Sequence, residues 1–270
     1  MMLDKILLQA PVYLLIFVRC FALIMTLPLF STRAVSRIAK IALTGYMAFF
    51  LLGTADLSDY EIFLGSDGAF SLYFVFLLIG EALIGIIIGF YITIIFAAFS
   101  TAGQFTAFQM GFSAASTYDA MAQVENPLMG QFFNFIAMLI FIQNQWFQKL
   151  FLGGLTSSFK AITAISVMNS RESIVSFMLK GLTKLFADAL IIALPIMGTL
   201  LLITICTGLL SKAAPQMNLL SEGFPIMILT AFLLIMLLIP SMTDFFVRSF
   251  AGGFSALEDL FTSISGGGIR

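Results

Sequence analysis

Apolar positions along this chain come in long unbroken runs, without the every-second-residue alternation of a half-buried strand or the single stripe of a soluble helix. Runs at about 7–31, 38–55, 69–100, 127–148, 186–211 and 223–243 each come close to, or exceed, the ~20 residues that carry a helix across hydrocarbon. Two stretches, Ala189 to Ser211 and Gly223 to Thr243, hold no charged residue at all. The pattern predicts an all-α polytopic membrane protein of about six hydrophobic helical segments, in one membrane domain over 1–270. No internal repeat stands out, and the polar connections are too short to fold as soluble domains.

The third run does not fit a simple serpentine. From Ala82 to Tyr118 there is no formal charge, and that length as one helix would reach ~55 Å against a hydrocarbon core of ~30 Å. Within it, Thr101 to Ala122 is apolar enough for membrane depth yet rich in glycine, serine and threonine, and it is expected to be irregular. Non-helical backbone at that depth survives only when packed in protein or lining a cavity, because its N–H and C=O groups find no water. A plug, filter or gate is the function to expect of it, with Phe105, Phe108, Met110, Phe112 and Met121 set among small residues. After Pro240 the pattern changes again. Phe246, Phe250, Phe254, Leu257 and Phe261 fall on one helical face and most charges elsewhere, which predicts an amphipathic helix at the interface or against a partner.

Composition sharpens this picture. The chain is 60% hydrophobic and 10% charged, where soluble domains carry about 25% charge. A net charge of −1 gives no electrostatic footprint for nucleic acid. The absence of histidine removes the commonest general base and transition-metal ligand, and with it most hydrolase and metalloenzyme readings. No catalytic residue, cofactor or metal site is expected. Cys20 and Cys206 lie inside apolar runs as small hydrophobes. The first run is long enough to span and reads as retained, not as a cleaved signal.

Charge also bears on topology. Arg33, Arg37 and Lys40 place the first connection in the cytoplasm opposite Asp56, Asp59, Glu61 and Asp67, whereas Lys5 and the basic connection from Lys149 to Lys184 argue for the reverse. Both cannot hold under strict alternation, so the chain is expected not to insert as an ordinary bundle.

Glu81, Gly85 and Gly89 are spaced by fours and share a helix face; the two glycines form a small-xxx-small surface for close helix packing. A charge near the bilayer centre costs on the order of 2.5–3.5 kcal/mol, so Glu81 must face protein or water, and Arg19 in the first run is its natural partner. A structural ion pair, a gating or assembly role and a proton relay are the readings open to that pair. Pro215, Gln216 and Asn218 form a tight connection between two runs whose polar side chains are candidates for contact with a partner protein.

Several motifs, taken in order, resemble the FliR family of flagellar type III export-gate proteins: Arg19 to Phe30 and Arg33 to Arg37, Leu83 to Phe90, Thr101 to Gly103, Gln109 to Ser113, Ser157 to Phe159, and Ala214 to Asn218 followed by Gly223 to Pro225. The resemblance implies a subunit of the bacterial inner membrane, in the flagellar basal body. There it would join FliP and FliQ, with FlhB as a further neighbour, in a helical gate that exports unfolded flagellar proteins. It implies a FliP-like part over 1–178 and a FliQ-like hairpin with the amphipathic helix over 179–270. It also places residues 104–120 in the gate as a plug, carried by Phe105, Phe108, Gln109, Met110, Gly111 and Phe112. The chain departs from the family pattern at Asp119-Ala120, where Asp-Pro is common, and at Gln145-Trp146, where Gly-His is frequent. A homologous injectisome subunit is the nearest alternative. A small-molecule or ion secondary transporter using Arg19 and Glu81 is a further one, and a membrane-embedded enzyme has no residues to support it.

Overall fold

The computed structural model describes residues 2–31, 35–53, 60, 72–111, 128–213 and 219–266, and among these the chain is built of helices and turns. The longer helices are α1 (Met2–Thr26), α2 (Arg37–Leu51), α3 (Leu72–Gln109), α4 (Leu128–Gln143), α5 (Arg171–Ala213) and α6 (Leu219–Gly266). Between α4 and α5 lie Trp146–Gln148, a π-helical stretch Lys149–Leu155, and the short helices Thr156–Ala161 and Ala164–Asn169. Among the described residues three helices, α3, α5 and α6, are long and apolar enough to cross a membrane.

Local chemistry sets the boundaries. Ser36, extended at φ −62° and ψ 147°, caps α2 by accepting the Ala39 N–H. Ile162 and Thr163 are extended, and Thr163 opens the next helix with a capping box closed by Ser166. This break in the helical ladder frees backbone groups that need partners at depth.

Two expectations are corrected. The stretch from Thr101 is not irregular through Gln109: it is the end of a single 38-residue helix, about 57 Å long at 1.5 Å per residue. Its small residues serve packing. A methyl on Gly103 would lie 2.4 Å from the Met129 carbonyl oxygen and 2.8 Å from Gly130 Cα, so the glycine lets α4 approach the backbone. The Thr106 hydroxyl turns back to the Ala102 carbonyl at 3.0 Å, a bond that satisfies the hydroxyl within its own helix. The second correction concerns the C-terminal amphipathic face, which packs within the chain. Pro240 lies inside a continuous α6, and Phe246, Phe250, Leu257 and Phe261 are buried.

The chain divides into two compact units, the first of residues 1–94, 145–181 and 251–270, the second of 95–144 and 182–250. In the first, α1 packs on α2 and on the first part of α3. In the second, Phe96, Phe99, Phe141, Phe246 and Phe250 form an aromatic core with ring centroids 4.0–5.5 Å apart, mostly in the tilted and edge-on arrangements that aromatic pairs prefer.

Candidate functional site

The first unit is organised around Arg19 of α1 and Glu81 of α3, both fully buried. The guanidinium donates from Nε to Glu81 Oε2 at 2.5 Å and from Nη2 to Oε1 at 2.9 Å, the two-pronged geometry that suits arginine and not lysine. Nη1 donates to Ser158 Oγ at 3.0 Å, and Nη2 also reaches the Ile162 carbonyl at 2.9 Å. Phe159 lies with its ring centroid 4.0 Å from the guanidinium carbon. Tyr60, from the connection between α2 and α3, donates to Glu81 Oε1 at 2.5 Å and accepts the Ala164 N–H at 2.6 Å.

The helix break at Ile162 and Thr163 and the ion pair therefore complete one another. The carbonyl and the N–H released by the break are taken up by the side chains that bind Glu81, so buried charge and exposed backbone are satisfied together. Burial, and after it the charge of Glu81, push the Tyr60 phenol well above its ordinary range. Its value is raised in the folded state, so its contribution to stability is whole below about pH 10 and declines only above that.

Gly85 and Gly89 continue the same face against α1. A methyl on Gly85 would stand 2.3 Å from the Arg19 carbonyl oxygen, and one on Gly89 would stand 1.8 Å from Thr26 Oγ1. Thr93 bridges the same contact, donating to the Thr26 carbonyl at 2.8 Å. Since backbone cannot step aside as a side chain can, Gly85→Ala is expected to cost more than Gly89→Ala. About 1–3 kcal/mol is the range for overpacking, and thermal denaturation of the purified complex measures it; equal and negligible effects would contradict the close approach.

The second place of interest is the end of α3, in the second unit. Ala102, Gly103, Thr106, Ala107 and Met110 are buried, Phe105 and Gln109 are half-buried, and Phe108 is 73% exposed. The helix closes at Gly111, whose φ of +82° is left-handed and whose N–H returns to the Phe108 carbonyl at 3.1 Å. The residues the sequence groups as a plug thus separate: Phe108 faces outward and Met110 inward. Phe112 and the remainder of 104–120 beyond Gly111 lie outside the described residues, as do Pro215, Gln216 and Asn218.

Sequence reasoning missed Tyr60, which carries no spacing signal, gave Ser158 no role beyond its place in the Ser157 to Phe159 motif, and missed a second polar cluster. In the second unit Lys184 Nζ donates to Asp188 Oδ2 at 2.6 Å, and the Ser249 hydroxyl of α6 donates to the same oxygen at 2.7 Å. The i,i+4 spacing of Lys184 and Asp188 was the available clue.

Fold and site together define an α-helical, multi-span membrane protein whose first unit is fastened by a saturated buried ion pair. The chain belongs to the bacterial export proteins, family 1, whose family model matches residues 10–253. It is 31% identical over 256 residues to the flagellar biosynthetic protein FliR of Pectobacterium carotovorum subsp. carotovorum, with 92% of each chain covered. It is 30% identical over 244 residues to the protein of the same name from Borreliella burgdorferi, covering 89% of this chain and 87% of that one. The surface presentation of antigens protein SpaR of Shigella sonnei is 29% identical over 214 residues, covering 78% of this chain and 80% of that one.

Proposed function

We propose that this chain is the FliR-type subunit of a flagellar type III protein export gate, seated in the inner membrane at the basal body with FliP, FliQ and FlhB as neighbours and unfolded flagellar proteins as cargo. The observation that carries the reading is how incompletely the chain covers its own spans. The most apolar window of α3 is 61% buried, whereas those of α5 and α6 are 28% and 17% buried. Other membrane subunits and lipid would cover the rest. In this reading 1–178 is the FliP-like part and 179–270 the FliQ-like part, and the chain around the end of α3 stops the conduit with bulky apolar side chains. Likeness to SpaR supports a second reading, an injectisome subunit of the same kind. A FliR relative that covers 92% of each chain favours the flagellar one.

The transporter reading asks Arg19 and Glu81 to exchange partners with a solute or proton, but both carboxylate oxygens of Glu81 already accept from protein donors. Tagged chain taken from native membranes in mild detergent is expected to carry other export-apparatus subunits in fixed ratio, identified by mass. A stable monomer that binds a small solute by itself would overturn the proposal.

A further inference from the structure

Gly111 is constrained twice. Its φ of +82° disfavours any side chain, and a methyl there would lie 2.2 and 2.5 Å from Cε1 and Cδ1 of Phe224. The ring of a residue in the first turns of α6 therefore lies directly against the backbone at which α3 ends. Beside it Met110 is fully buried and its N–H is bonded to the Thr106 carbonyl at 3.0 Å, so the turn is held on the helix side by hydrogen bonds and on the other by the edge of an aromatic ring. Both residues belong to the second unit.

We infer that Phe224 is a positioning residue for the gate: its ring clamps the Met110–Gly111 turn and fixes the point at which the chain leaves α3. The inference rests on the export-gate reading and adds to it the element that holds the stopper in its resting place. A clamp made of one ring on one glycine is all-or-none. The ring cannot remain where it is once the glycine gains a methyl, and the glycine has nothing to lie against once the ring is gone. Movement at the start of α6 is thereby transmitted to the end of α3, which gives the assembled gate a route for release from a distance.

The test measures ion leak across membranes holding the complete complex, normalised to the amount of complex present, in the absence of exported protein. Phe224→Ala is expected to raise the leak roughly two- to tenfold, the shift that loss of an aromatic contact gives a two-state equilibrium. Phe224→Tyr, which keeps the ring, should stay near the parent. Gly111→Ala should leak at least as much as Phe224→Ala, because it also strains the left-handed turn, and the double variant should be no worse than Gly111→Ala alone, because the shared contact is already broken. A purely structural role would lower the amount of complex and leave the leak per complex unchanged. If a chain lacking 109–113 leaks while Phe224→Ala and Gly111→Ala are tight, the clamp is wrong and the gate reading stands; if all three are tight, the gate reading falls with it.

Discussion

Deletion of Gln109–Ser113 is expected to leave the complex assembled and to make the membrane permeable to small ions. Assembly should survive because the polar fastening of the first unit, at Arg19, Glu81, Tyr60 and Ser158, is remote in sequence and lies in another unit. The seal should fail because a closed conduit excludes water by apolar side chains that dewet a constriction. The deletion removes the glycine turn and the buried Met110 that hold the end of α3 in place. Ion flux in cells carrying the deletion, compared with cells carrying the parent at equal complex level, decides the matter; unchanged flux would remove the stopper from this part of the chain.

Loss of one member of the buried ion pair should have the largest effect on stability. Arg19→Ala leaves Glu81 buried against a tyrosine, and it strips the Ile162 carbonyl and Ser158 of their donor. Breaking a buried pair from one side costs about 3–5 kcal/mol, enough to deplete the protein from the membrane. Glu81→Ala should act similarly, since it leaves a guanidinium at membrane depth. Arg19→Met combined with Glu81→Leu should recover part of the loss, because no lone charge remains, but not all of it, because the break at Ile162 and Thr163 still needs partners. Steady-state abundance and thermal denaturation of the extracted complex measure this. Full abundance with abolished export in Glu81→Gln would instead assign the pair to a proton relay.

The general architecture could be read from residue pattern alone because a bilayer permits so few solutions: long charge-free runs must become helices. The meeting of Arg19 and Glu81 was equally legible, since a charge placed among apolar residues demands a partner and few were on offer. The failures have a common cause. Thr101, Gly103 and Thr106 look like chain that cannot stay helical, yet Gly103 lies against the backbone of α4 and the Thr106 hydroxyl bonds back into its own helix. Small residues at helix contacts and small residues in loops are the same letters, and only the neighbour distinguishes them. Phe246, Phe250 and Phe261 likewise formed a visible stripe, but the stripe could not say that its partner lies in the same chain. Tyr60 was invisible for another reason: its role depends on a helix break some hundred residues away.

The central claim is that the end of α3 borders a protein conduit once the complex is assembled. Phe108, 73% exposed in the isolated chain, is the place to ask. A photo-crosslinking residue at 108, activated in cells with export arrested midway, should yield adducts with the exported polypeptide or with neighbouring export subunits. Adducts with lipid alone would contradict the account.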